Sequence, residues 1–235
     1  MTRKNSVTLL LLETSTEVCS VALSIDGELT AQREIQEHKA HARVIADFIK
    51  EVLSDASLSI NDCNAVVVSE GPGSYTGLRV GVSVAKGICY GANLPLIAVS
   101  SLELIARLAL ENSPAPEGDF RIVPMIDARR MEVYTALFDS KYNQLTKTEA
   151  HIITEESFTE TLSEGKVIFT GDGSEKAKSV ITHPNAIFTQ THASARGMID
   201  PAMQKYKRSE FADVAYFEPF YLKDFIAGIS KKSLL

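Results

Sequence analysis

Cysteine is scarce in this chain and what there is stands apart: Cys19, Cys63 and Cys89 are odd in number and never paired as C-x-x-C. That spacing excludes a zinc knuckle and fits buried thiols in a reducing cytoplasm. No run of about 18 apolar residues occurs, so no membrane-crossing helix is predicted. The opening "MTRKNSVTLLLLETS" reaches polar residues after a short apolar stretch and reads as a first strand rather than an export signal. Positive charge is in deficit, with 24 Lys and Arg against 30 Asp and Glu for a net −6. Tight autonomous binding of nucleic acid draws on phosphate neutralisation, so any RNA is expected to be held by a partner. Within these limits, 235 residues at 45% hydrophobic content can bury a full core, and two domains are expected.

Three strands open the chain. "SVTLLLLETST" and "VCSVALSIDGEL" are apolar runs, Asp26-Gly27 is a hairpin signal, and "TAQREIQE" alternates. From Ala40 to Leu53 the apolar residues Val44, Ile45, Phe48, Ile49, Val52 and Leu53 recur at helical spacing. "AVVVSE", a glycine turn, a helix to about Asn93, "LPLIAVS" and a helix over Ser101–Glu111 complete a βββαβαβα order. The Pro, Gly and acid-rich stretch 112–119 is the predicted linker between domains at 1–111 and 120–235. Beyond it come strands near Arg121–Asp127, Glu132–Phe138 and Leu145–Ile153, a helix over Glu155–Ser163, and "KVIFTGDGSEKAKSVI" as strand, turn and helix. The halves share an order of elements, which points to a duplicated fold.

The glycine turn "EGPGSYTGLR" fits none of three phosphate or nucleophile patterns. A Walker loop requires Lys-Ser/Thr after its last glycine, where Leu78-Arg79 stands. A dinucleotide fingerprint needs glycine at Thr76, and G-x-S-x-G needs the serine one place later than Ser74. Ser74 reads as an N-cap. What remains is a helix start able to hold an anion weakly, with Arg79 one turn in. Along this helix Leu78, Val82, Ala85 and Cys89 share one face, while Val80, Val84, Gly87 and Gly91 lie nearly opposite. A helix that only covered its own sheet needs one apolar face, so the second is expected to meet another helix, from this chain or from a partner.

"LLLLETSTEVCSVAL", "GPGSYTGLRVGVSVAKG", "LPLIAVSSLELIA", "IDARRMEVY" and "EPFYLKDF" together resemble the TsaB (YeaZ) family over nearly the whole chain. The resemblance implies an α/β protein of the actin-like ATPase superfold, with two βββαβαβα-type domains, the second reduced. It implies a cytoplasmic, non-catalytic scaffold of the machinery that forms threonylcarbamoyladenosine beside the anticodon of ANN-decoding tRNAs. Its expected partners are TsaD in a heterodimer and the ATPase TsaE on that pair, with TsaC supplying the activated intermediate. A homodimer through the same surface is expected when TsaD is absent. The predicted partner-binding residues are His41, Ile45, Phe48, Ile49 and Val52 on one helix and Val80, Val84, Gly87, Ile88 and Gly91 on the other.

TsaD-type proteins carry H-x-E-x-H after the strand matching "LPLIAVS", and here Ser101 and Ile105 stand at the histidine positions. No metal or other cofactor is therefore expected. His38 and His41 read as a solvated helix end rather than a ligand pair. Where family members typically show Asp-Thr after the first strand, this chain has Glu13-Thr14, a carboxylate set too far out for octahedral magnesium. Glu13, Thr14, Gly71, Gly73, Ser74, Gly171 and Gly173 are the expected lining of a degenerate nucleotide cleft. "IDARRMEVY" reads as strand–turn–strand with paired surface charges. Two enzyme readings stay open: a glycoprotease-like hydrolase with Ser74 or Thr76 as nucleophile, and a small-molecule kinase of the same superfold.

Overall fold

The computed structural model describes residues 6–37 and 39–223. β1 (Thr8–Glu13) and β4 (Ala65–Gly71) are Leu and Val runs buried on both faces, as central strands of a covered sheet require. β2 (Val18–Ile25) turns into β3 (Glu28–Gln36) through Asp26 and Gly27, both at positive φ (55° and 87°), as the Asp-Gly signal predicts. With β5 (Leu96–Ser100) these form a sheet in the order β3-β2-β1-β4-β5. The first three strands pair antiparallel, and β4 is parallel to both β1 and β5. α1 (His41–Asp55) and α2 (Tyr75–Ala92) cover one face, and α3 (Ser101–Leu108) lies on the other.

The second sheet is built from β6 (Phe120–Asp127), β7 (Glu132–Thr135), β8 (Phe138–Asp139), β9 (Glu149–Ile152), β10 (Lys166–Thr170) and β11 (Ala186–Phe188). Its order is β11-β10-β6-β7-β9, with β8 paired to β6. Taken from β9, the sheet repeats the first one's order and strand senses: two antiparallel pairings, then two parallel. α4 (Thr159–Glu164) precedes β10 and α5 (Ser174–Lys178) follows it, as α1 and α2 flank β4. The duplicated order expected from sequence is therefore present, with shorter elements in the second copy.

Several boundaries differ from expectation. The strand expected through Phe138 ends at Thr135, and Phe138–Asp139 pairs separately with β6. The strand expected over 145–153 narrows to Glu149–Ile152. α4 starts at Thr159 rather than Glu155 because the Ser157 hydroxyl accepts the Thr154 N–H (2.9 Å) and closes a turn, while Phe158 sits at φ 62°. α3 stops at Leu108, short of the expected Glu111.

Three layers of side chains hold the sheets. Leu10, Leu12, Val66 and Val68 meet α1 and α2, whereas their neighbours Leu9, Leu11, Val67 and Ile97 face α3 and the second sheet's Phe120, Ile122 and Ile168. On the far side Val123, Met125, Val167 and Phe169 pack against Leu162 of α4 and Ala177 of α5. After β11 the chain returns to the first sheet. The Ala195 N–H donates to Ser20 Oγ (3.0 Å), Lys205 of α6 (Ile199–Lys207) donates to Ala98 O (2.6 Å), and Ala212 bridges Leu96.

Candidate functional site

α2 begins at Ser74, whose Oγ accepts the Gly77 N–H (3.3 Å), so this serine is the expected N-cap. Leu78, Val82, Ala85 and Cys89 are buried on the sheet. The glycine turn is a packing device for the β1–β2 turn. A Cβ on Gly77 would lie 2.1 Å from Thr14 O, and one on Gly81 would lie 2.2 Å from Thr14 Oγ1. Thr14 Oγ1 donates to Gly77 O (2.8 Å), and the Ser74 N–H donates to Ser15 O (2.6 Å).

The opposite side of α2 is open. Nothing lies within 4 Å of a Cβ built on Gly87 or Gly91. Val80, Val84 and Ile88 are half-buried beside them, as is Phe48 of α1. The other residues expected on the partner face of α1 are placed differently: His41, Ile45, Ile49 and Val52 are buried in the chain's own core. His41 Nε2 lies 3.0 Å from Thr16 O and ties the helix start to the β1–β2 turn. The periodicity marked α1's apolar face correctly, but that face is the one turned to its own sheet. His38, weighed with His41 as a ligand pair, lies outside the described residues, as does the tail beyond Lys223.

One flank of α2 carries a strap, residues 211–223. Lys86 Nζ donates to Ala215 O (3.1 Å) and Phe217 O (2.8 Å), and the Phe220 N–H donates to Glu70 O (2.7 Å). The Tyr221 ring lies 4.8 Å from that of Tyr75, and Arg79 sits over Tyr75 at 4.1 Å while donating to the Tyr221 hydroxyl (3.3 Å). Lys223 reaches across to Glu132 of β7. Tyr90 and Tyr216 are 87% and 84% exposed, large aromatic surface beside the open face of α2. In the sequence, the only signal for this strap is the aromatic density of 216–221.

The expected cleft residues fall on two turns. Glu13, Thr14, Gly73 and Ser74 gather where β1 ends and α2 begins, and the strap carbonyl of Phe220 rests on Gly71. Gly171 and Gly173 are pressed against Met125, with Asp172 between them accepting the Asp127 N–H (3.0 Å). Burial pushes the Glu13 carboxyl, and that of the half-buried Glu70, above their ordinary range. "IDARRMEVY" forms a strand–turn–strand with Arg129 and Arg130 at positive φ and Asp127 paired to Lys176 at 3.0 Å. Among the described residues no group of three or more His, Cys, Asp or Glu is placed to hold a metal. A surface hollow of about 200 Å³ beside α6 is lined by Arg107 and Arg196, whose charges are already engaged by Glu103 (2.9 Å) and Glu111 (2.6 Å).

The TsaD family model, tRNA N6-adenosine threonylcarbamoyltransferase, matches residues 31–231. The Escherichia coli protein TsaB is 30% identical over 230 residues, 93% of this chain and 96% of its own length. The chain belongs to the TsaB family. TsaB of Haemophilus influenzae is 43% identical over 129 residues, and that match spans 55% of this chain and about half (52%) of the relative. YeaZ from Pseudomonas aeruginosa shares the fold, with a TM-score of 0.80 at 24% identity over 92% of this chain and 100% of that one. Curated family members are named for tRNA threonylcarbamoyladenosine biosynthesis, and the TsaD model match marks the kinship of the two families. Among the described residues no helix is long and apolar enough to cross a membrane.

Proposed function

We propose that this chain is a non-catalytic cytoplasmic subunit of the threonylcarbamoyladenosine-forming assembly, docking onto TsaD through the open side of α2. Val80, Val84, Gly87, Ile88 and Gly91, with Phe48 from α1, make the contact, and a second copy of the chain takes the same face when TsaD is absent. TsaE joins the pair, TsaC supplies the activated intermediate, and tRNA is met only through the complex. The observation that carries this reading is the asymmetry of α2. One side is sealed by its own sheet, while Gly87 and Gly91 opposite have nothing within 4 Å of a Cβ, so another backbone can approach closely. Half-buried valines around them supply apolar area that a partner would remove from water.

The test is co-purification with a TsaD-family protein, read by the mass of the eluting species. The unaltered chain should give a heterodimer, and Gly87→Arg or Val84→Glu should give separated subunits. Lys147→Glu, at an exposed position in the second lobe, should leave the heterodimer intact. Wild-type binding by both α2 variants would remove the assignment.

A further inference from the structure

Glu13 ends β1 with no exposed surface. Its Oε1 accepts both the N–H and the hydroxyl of Ser15, each at 2.5 Å, so the turn into β2 is wrapped around a carboxyl oxygen from two residues upstream. The outer wall of that turn is fixed. Ser15 O takes the Ser74 N–H at 2.6 Å, and a Cβ on Gly73 would lie 2.3 Å from the same oxygen. The other carboxyl oxygen, Oε2, is buried without a hydrogen-bond partner. Two donors converging on one oxygen hold a carboxyl group in place, here one that burial shifts toward its protonated form. Here the chain supplies the group itself.

We propose that the β1–β2 turn is a carboxyl-binding site whose resident ligand is the Glu13 side chain. The first-sheet wall of the cleft is thus filled from within, and an external ligand enters only when that side chain is removed. The ligand class is a small planar carboxyl group: Ser15 supplies both donors at 2.5 Å, the Ser69 hydroxyl is a further favourable partner of the carboxyl, and the space is closed. The docking face of α2 plays no part in this inference, and its test involves no partner.

Glu13→Ala leaves the Ser15 N–H and hydroxyl as buried donors without an acceptor. Formate, which is the missing carboxyl group alone, is the probe, with chloride at equal ionic strength as the reference. Formate should raise the unfolding midpoint of Glu13→Ala above its value in chloride, the folded-to-unfolded ratio rising about tenfold at roughly ten times the formate dissociation constant. The unaltered chain and Glu13→Gln, which keeps an acceptor on Ser15, should respond alike to the two salts. If alanine leaves no folded protein in chloride, the yield of refolded protein in each salt gives the same comparison. Equal behaviour of Glu13→Ala in formate and chloride would overturn the proposal.

Discussion

Four glycines along α2 offer a matched set of substitutions with opposite expected signs. Alanine at Gly87, in the helix interior with open space around it, removes the conformational penalty of glycine and should stabilise by about 0.5–1 kcal/mol. Gly91 lies in the last turn, just before the left-handed Asn93 cap, so its gain should be smaller. Alanine at Gly77 puts a Cβ 2.1 Å from a backbone oxygen of Thr14. To clear it, the β1–β2 turn must move by about 1 Å, giving up the Thr14–Gly77 and Ser74–Ser15 hydrogen bonds at about 1 kcal/mol each and adding about 1–3 kcal/mol of overpacking. The total is about 3–5 kcal/mol of destabilisation. Gly81→Ala meets Thr14 Oγ1 at 2.2 Å and should cost somewhat less, since a side chain yields more readily than a carbonyl. In a chain of this size each kcal/mol moves the thermal midpoint by about 2–4 °C. Thermal and urea unfolding of the four variants should therefore split them into two rising slightly and two falling, Gly77→Ala by about 6 °C or more and Gly81→Ala by somewhat less. Four shifts of one sign, or a neutral Gly77→Ala, would refute the packing account. Gly87→Ala also bears on function, because a glycine that weakens the free chain is kept if a partner needs the space.

Burial raises the Glu13 carboxyl above its ordinary 4.5, so between that value and the folded-state value the native chain holds a proton that the unfolded chain has lost. Its share of stability is present at low pH and is lost as pH rises above 4.5, with a slope of up to about 1.4 kcal/mol per pH unit. Glu13→Gln removes this dependence, and since Asp172, Glu70 and Cys19 titrate in both proteins, the stability of the variant relative to the parent should climb with pH; a flat difference contradicts it. Lys86→Ala frees the strap carbonyls of Ala215 and Phe217, and limited proteolysis should cut within 211–223 several-fold faster while the thermal midpoint barely moves. Ser74→Ala should cost about 1 kcal/mol of stability as a lost N-cap. Abolition of an ester or peptide hydrolysis by that change would instead support the nucleophile reading.

Much of the fold is legible in the residues because local signals and burial agree. The Leu and Val runs of β1 and β4, the Asp26-Gly27 turn, the helical spacing of α1 and the Ser74 cap each specify one local geometry, and each is found. The second lobe is less legible because its strands are short and its breaks are set by tertiary contacts, such as the pairing of Phe138 with Ile122 that separates β8 from β7. Apolar period gave α1 a buried face but not the identity of what covers it, so His41, Ile45, Ile49 and Val52 were expected at a partner and sit against their own sheet. The glycines and the acid at Glu13 mark the cleft in the sequence. What the sequence could not convey is that Glu13 turns back on Ser15 and that an aperiodic aromatic strap closes over Gly71.

The most direct measurement of the docking claim places a photo-crosslinking side chain at position 87, where open space admits it, and a second at position 147 as the control. Mixed with a TsaD-family protein and irradiated, the residue-87 probe should yield a covalent heterodimer and the residue-147 probe none. Equal crosslinking from both sites, or capture from 147 alone, would contradict the assignment of the open side of α2 as the face that meets TsaD.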